Sequence, residues 1–181
     1  MQRARRGVDW GILLSLILGL VVTWPFIWQS SIPRTTSLEN YAFRTADYAN
    51  ALREGYLYPR WSPHVAGGYG APIPNYYPPG AAYSAAVIET LFTNETTLAI
   101  RIFYVIAFTI AAGSTYAVVT RWVSPKAGIL ATGLYLLSPY VGFTAPYALG
   151  DMPAVAAHAL LPLQLWAFGR LVDIQRPFDV L

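Results

Sequence analysis

Four stretches of the chain, each at least 18 residues long, contain no Asp, Glu, Lys or Arg, and they restrict its possible folds more than any other feature. The stretches are 10–28, 102–120, 127–150 and 152–169. A helix of about 20 apolar residues crosses the hydrocarbon core of a bilayer. One such stretch is compatible with a buried helix of a soluble domain, but four in a chain of 181 residues predict an integral membrane protein.

The composition agrees with this class and excludes several others. Charged residues make up 12 % of the chain, against about 25 % in soluble domains. The 12 Lys and Arg residues are scattered. This argues against a nucleic-acid partner, because nucleic-acid-binding proteins cluster basic residues on one surface. The chain has no Cys, which excludes disulfides, Cys-ligated zinc and thiol catalysis.

The apolar stretches predict an all-α membrane protein with about four transmembrane helices, over 8–28, 98–120, 127–148 and 152–172. Basic residues concentrate on the cytoplasmic side of membrane proteins. Those nearest the helix ends here are Arg3, Arg5, Arg6, Arg121, Lys126, Arg170 and Arg176. We therefore expect a multi-pass protein of the cell (inner or plasma) membrane with a cytoplasmic N-terminus. The segment 29–97 is then extracytoplasmic.

Two helices are predicted at the membrane surface within this segment, over 37–54 and 81–93. The first opens on a pattern typical of a capping box, with Thr36 as N-cap and Glu39 reaching back. The second is apolar, but it is too short to span and carries Glu89. We expect it to lie along the membrane or to re-enter it. The alternative, that it spans, would invert every later helix.

The segment 55–80 between these helices, GYLYPRWSPHVAGGYGAPIPNYYPPG, combines six Pro and five Gly with five Tyr and a Trp. Pro and Gly at this density oppose regular helix or sheet. The aromatic content is typical of membrane–water interfaces rather than of disordered linkers. The pattern predicts an ordered loop at the interface, suited to a ligand with an apolar tail and a hydroxyl-rich head.

The stretch 55–83, GYLYPRWSPHVAGGYGAPIPNYYPPGAAY, resembles a motif of large bacterial and archaeal membrane proteins that carry the 6-pyruvoyl-tetrahydropterin synthase-related membrane domain. A second stretch, 135–168, resembles the Ser-Pro-Tyr…Gly-Asp…Leu-Pro region of that family. The family is similar in layout to GT-C glycosyltransferases, which take sugar from a polyprenyl-phosphate carrier outside the membrane. The resemblance implies a GT-C-like fold and a lipid-linked sugar as substrate. We expect the chain to be the N-terminal part of a longer protein, because 176–181 resembles a turn before a fifth helix.

The chain departs from the family at the positions expected to carry catalysis. An Asp and a His are expected before Arg44, where the chain has Glu39 and, near the His position, Tyr41 or Phe43. An Arg and a Glu are expected around the Gly-Asp pair, where the chain has Leu149 and Ala154. These departures keep a second function open: a non-catalytic membrane module that binds lipid or a partner, or an inactive fragment.

The candidate catalytic residues are Glu39 and Asp151. By the resemblance, Glu39 would be the base that takes the proton of the acceptor hydroxyl; the alternative is its place in the capping box. Asp151 would support catalysis from the start of the fourth helix, with His158 on the same face, or else cap that helix. Asp47 lies near the same helix face as Glu39 and is a further candidate for a functional role, but a solvated ion pair with Arg44, one turn away, is the favoured interpretation.

Several residues are candidates for binding the substrate: Arg60, Arg101, Tyr69, Tyr76, Tyr77 and His158. Arg60 could hold a phosphate or stack on Trp61, and Arg101 could meet a lipid phosphate or extend to head groups. The tyrosines could line a sugar or polyprenyl groove or anchor the loop at the interface. The reaction implied is direct displacement at the anomeric carbon. A divalent metal is left open, since two carboxylates and one histidine are a weak metal signal.

Overall fold

The computed structural model describes residues 9–174, which form helices and loops without a β-strand. Three helices are long and apolar enough to cross a membrane: Thr96–Trp122, Pro125–Leu149 and Met152–Val172. The predicted all-α class with helices of membrane-spanning character is therefore confirmed. The described chain contains three helices of this length, whereas about four were predicted.

The predicted helix over 8–28 is divided into α1 (Trp10–Val22) and α2 (Trp24–Trp28). The hydroxyl of Thr23 donates to the carbonyls of Gly19 and Leu20 at 3.0 and 3.2 Å. Pro25, in the first turn of α2, has no N–H with which to continue the α-helical bonds. The prediction of one continuous helix is thus wrong at Thr23, and α1 alone, with 13 residues, is shorter than a bilayer span. Residue 8 lies outside the described residues.

The bundle is organised around α5 (Thr96–Trp122), against which α1, α6 (Pro125–Leu136) and α7 (Met152–Ile174) pack. Buried residues recur along α5 every three or four positions from Ala99 to Val118, the spacing of one helix face. Many of these residues are alanines, which let neighbouring backbones approach closely. A Cβ at Gly19 of α1 would lie 3.1 Å from the Cβ of Ala112.

The predicted helix over 127–148 is also divided. After α6, Leu137 and Ser138 leave the helix, and the segment Pro139–Leu149 continues as a π-helix. Ser138 has extended dihedral angles (φ −60°, ψ 140°), because the residue before a proline is pushed out of the α region. The predicted span over 127–148 is therefore present, but as two pieces rather than as one regular α-helix. The two pieces together make one of the three apolar helices of spanning length.

The segment 29–95 packs at one end of the bundle, which we call the loop end. It contains α3 (Leu38–Arg53) and α4 (Gly80–Ile88), which continues as a π-helical turn, Glu89–Thr93. These bounds lie within one residue of the helices predicted over 37–54 and 81–93. Helix α4 packs against α3, α5 and α7.

Contacts at the two ends of the bundle show how the helices alternate in direction. At the loop end, the backbone N–H of Ser37 donates to the carbonyl of Leu149 at 2.9 Å. At the opposite end, the hydroxyl of Tyr116 donates to Asp9 Oδ1 at 2.8 Å, and Arg121 Nη2 donates to the carbonyl of Gly169 at 3.0 Å. The starts of α1 and α6 thus lie at the end opposite the loop.

Candidate functional site

An open pocket of about 590 Å³ lies at the loop end, between the C-terminal half of α3 and the first part of the loop. Its walls combine aromatic rings with ionisable side chains. The lining residues are Asp47, Asn50, Ala51, Arg53, Glu54, Tyr56, Tyr58, Pro59, Arg60, Trp61, Pro63 and His64. This combination suits a ligand that presents both apolar faces and hydroxyl groups.

The loop that forms one wall is ordered by hydrogen bonds rather than by a sheet. The hydroxyl of Tyr83 donates to the carbonyl of Leu57 at 2.7 Å, and the side-chain amide of Asn75 donates to the carbonyl of Arg60 at 3.1 Å. Ser62 and Ala71 exchange backbone hydrogen bonds of 2.9 and 3.0 Å. These bonds fold the loop back on itself and place its first residues beside α3.

A carboxylate–imidazole pair lies in the wall of the pocket. His64 Nδ1 lies 2.6 Å from Asp47 Oδ1. The Asp47 side chain is buried, whereas that of His64 is 64 % exposed. The second carboxylate oxygen, Asp47 Oδ2, is buried and has no hydrogen-bond partner among the described residues. A buried carboxylate held in this way orients the imidazole and selects its tautomer.

This pair was missed in the sequence, where Asp47 was expected to pair with Arg44 in solvent. That expectation is wrong, because Asp47 is buried. The Arg44 guanidinium instead lies over the rings of Tyr77 and Tyr41, at 4.0 and 5.1 Å from their centres. One signal was present: His64 and Arg60 are the residues of the loop whose side chains can carry positive charge.

Arg53 forms an ion pair at the pocket wall. Its Nη2 lies 3.1 Å from Glu89 Oε1, and its Nη1 donates to Asn50 Oδ1 at 3.2 Å. Glu89 is buried in the π-helical turn after α4. The pair explains how a carboxylate is accommodated in an otherwise apolar helix. It also ties α3 to the helix that leads into α5.

Glu39, the predicted catalytic base, does not line this pocket. It is exposed at the start of α3 and has no hydrogen bond or ion pair with any described residue. The predicted capping box is wrong as well, since α3 begins at Leu38 and Thr35 Oγ1 accepts the Leu38 N–H at 3.1 Å. The N–H and the hydroxyl of Thr36 donate instead to the carbonyl of Ala148, at 3.4 and 3.5 Å.

Asp151 also lies outside the pocket, at the start of α7. Its Oδ1 accepts the backbone N–H of Ala154 at 3.2 Å, as in a helix N-cap. The Asp151 carboxylate lies beside the phenol of Tyr41. Burial, followed by the charge of Asp151, raises the pKa of the Tyr41 phenol. Tyr41 is therefore protonated at neutral pH and can act as a hydrogen-bond donor towards Asp151.

Of the predicted substrate-binding residues, the structure places Arg60 at the pocket. Tyr69 is 91 % exposed and Tyr76 79 %, and neither lines the pocket. Tyr77 stacks with Arg44. These three rings therefore do not share one groove with Arg60.

Arg101 and His158 have structural partners elsewhere. Arg101 Nε and Nη2 donate to the carbonyls of Phe26 and Ile27 at 2.6 and 2.9 Å, so the guanidinium closes the end of α2. The His158 ring packs edge-on against Tyr140, with centres 5.4 Å apart. Neither residue contributes to the pocket.

Within residues 9–174, no group of three or more His, Asp or Glu side chains is arranged to hold a metal ion. No family model, curated protein or solved structure matches the chain. The pocket and its carboxylate–imidazole pair are accordingly assigned from their geometry.

Proposed function

We propose that the protein is a GT-C-like glycosyltransferase of the cell membrane. It would move a sugar from a polyprenyl-phosphate donor to an acceptor hydroxyl on the outer face. The resemblance of 55–83 to a membrane-protein family and the three apolar helices of spanning length support this proposal. The observation that carries it is the 2.6 Å contact between buried Asp47 and His64 in the pocket wall.

The chemistry proposed is direct displacement. The acceptor oxygen attacks the anomeric carbon of the sugar, the bond from that carbon to the phosphate oxygen breaks, and the polyprenyl phosphate leaves with the electron pair. The Asp47–His64 pair takes the proton of the attacking hydroxyl. In this proposal it replaces Glu39, which lies outside the pocket.

The other pocket residues fit the two ends of such a donor. The rings of Tyr56, Tyr58 and Trp61 offer faces on which a sugar can pack. The Arg60 side chain has no hydrogen bond or ion pair within the described chain, so its guanidinium is available for the leaving phosphate. Because the pocket lies at one end of the apolar helices, a lipid tail could remain in the bilayer while its head group enters.

The experiment that tests this function uses the full-length protein in proteoliposomes. Polyprenyl-phosphate glucose, mannose and galactose, each tritiated in the sugar, are supplied separately with total membranes as acceptor, with and without EDTA. We expect transfer by the wild type from one of the three donors. The EDTA arm shows whether the reaction uses a divalent metal.

The first prediction compares two substitutions in this assay. Asp47→Asn should lower transfer by at least about 100-fold, the usual effect of losing a positioned acid–base group. Glu39→Gln should leave transfer within about threefold of the wild type. Folded wild-type protein that transfers none of the three sugars would instead favour the non-catalytic lipid-binding module. If Glu39→Gln abolishes transfer and Asp47→Asn does not, the base is Glu39 and not the Asp47–His64 pair.

A further inference from the structure

The two nitrogens of His64 are in different surroundings. Nδ1 is held by Asp47 Oδ1 at 2.6 Å, whereas Nε2 has no hydrogen-bond partner among the described residues. His64 lines the pocket and its side chain is 64 % exposed. A carboxylate that accepts the Nδ1 proton selects the tautomer in which Nε2 carries the free lone pair.

Ionisable side chains of both signs line the pocket around this imidazole. Asp47, Arg53, Glu54 and Arg60 line the pocket together with the phenols of Tyr56 and Tyr58. Glu89 lies behind Arg53 as its ion-pair partner. The carboxylates of Asp47 and Glu54 and the guanidiniums of Arg53 and Arg60 are thus equal in number in the lining, and the contact with Asp47 is what distinguishes His64 within the pocket.

We propose that His64 Nε2 is the proton acceptor of this pocket and that Asp47 is the residue that positions it. The O–H bond of a hydroxyl group bound in the pocket breaks, and an N–H bond forms at Nε2. The electron pair of the O–H bond remains on the oxygen, which forms the new bond to carbon, and His64 later releases its proton to water. The substrate, an alcohol attacking a lipid-linked sugar, rests on the proposed function; the assignment of the proton acceptor does not.

The first test is ¹⁵N NMR of the full chain in nanodiscs with labelled histidine. The chain has two His residues, so His158→Gln assigns the spectrum by removing one imidazole. In the deprotonated form, we expect His64 as a single tautomer, with the proton on Nδ1 and a bare Nε2. Asp47→Ala should convert it to a mixture of tautomers, while an unchanged His158 signal shows that the bundle is still folded.

Either of two NMR results would overturn the proposal: a wild-type His64 that carries its proton on Nε2, or a tautomer that Asp47→Ala leaves unchanged. If Asp47→Ala does not fold, Asp47→Asn provides the same comparison with a side chain of equal size. In that variant the amide can donate to Nδ1 and move the proton to Nε2.

The second test is kinetic and uses the donor that the wild type accepts. His64→Gln should lower kcat by at least about 100-fold with KM within about threefold. Lys126→Gln, at the opposite end of the bundle, is the matched control. A His64→Gln rate within threefold of the wild type would contradict the assignment.

The two tests separate the failures of the two proposals. If His64 shows the expected tautomer but the protein transfers no sugar, the assignment of the proton acceptor stands and the proposed glycosyl transfer is wrong. If the wild type transfers sugar and His64→Gln transfers it at the same rate, the proposed reaction stands and the assignment of His64 as proton acceptor is wrong.

Discussion

Buried carboxylates distinguish the loop end at the scale of single residues. Asp47 and Glu89 are both buried, and each has one oxygen bonded and one without a partner in the described chain. A buried charge is tolerated when it is paired, and removing its partner leaves an uncompensated charge. Glu89 depends on Arg53 for this compensation.

The prediction at this scale concerns Arg53→Gln. It should lower the free energy of unfolding by about 2 kcal/mol, somewhat less than for a fully buried pair because the Arg53 side chain is 37 % exposed. Unfolding can be followed in an SDS titration by the fluorescence of the six Trp residues. Arg34→Gln, at an exposed position, is the control. The double variant Arg53→Met/Glu89→Leu should recover most of the loss, and equal stabilities of Arg53→Gln and the wild type would contradict the pairing.

At the scale of elements, the loop 55–80 depends on glycines in the left-handed region. Gly67 and Gly70 have φ values of 68° and 75°, which side chains other than glycine rarely adopt. They differ in their surroundings: a Cβ at Gly67 meets nothing within 4 Å, whereas one at Gly70 meets the indole of Trp61. Trp61 is part of the pocket wall.

This difference makes a matched pair of substitutions. Gly67→Ala should cost about 1 kcal/mol from backbone strain alone. Gly70→Ala should cost about 1–3 kcal/mol more, because the Trp61 ring must move. When each substitution is combined with Trp61→Leu, the two losses in the free energy of unfolding should become similar. A double-mutant cycle measures this change. If the difference between the two losses is the same in the wild type and in Trp61→Leu, Trp61 does not contact Gly70.

The breaks in the helices also belong to this scale. Pro25 and Pro139 are visible in the sequence, and each lies at the start of a new helical piece. The apolar runs around them were nonetheless read as single helices, because hydropathy averages over a window and does not register one missing N–H. The sequence was sufficient to predict α3, and α4 together with its π-helical turn, to within a residue, since Gly and Pro lie close to their boundaries.

At the scale of the whole molecule, successive helices alternate between the two ends of the bundle. The loop 55–80 lies at one end, and the connection between α5 and α6 lies at the other, where Arg121 contacts Gly169. If α5 spans a bilayer, these two regions are on opposite sides of it. The proposed orientation puts the loop outside.

The absence of Cys in the sequence permits a direct test of this arrangement. Tyr69→Cys, 91 % exposed in the loop, should react with a membrane-impermeant maleimide in intact cells. Lys126→Cys should react only after the membrane is permeabilised. The reverse pattern would place the loop in the cytoplasm, and labelling of both positions in intact cells would contradict the spanning of α5. The Cys-free parent chain is the control.

The sequence by itself determined the all-α class of this protein, three apolar helices of spanning length and the position of an aromatic, glycine- and proline-rich loop before them. These features follow from local composition, which sets hydropathy and backbone freedom without reference to distant residues. Only the tertiary structure decided which ionisable groups meet. Asp47 and His64 are 17 residues apart, and Arg53 and Glu89 are 36 apart. Each pair forms because the loop folds back on α3 and α4 packs against it, and contacts of that kind leave no periodic trace along the chain.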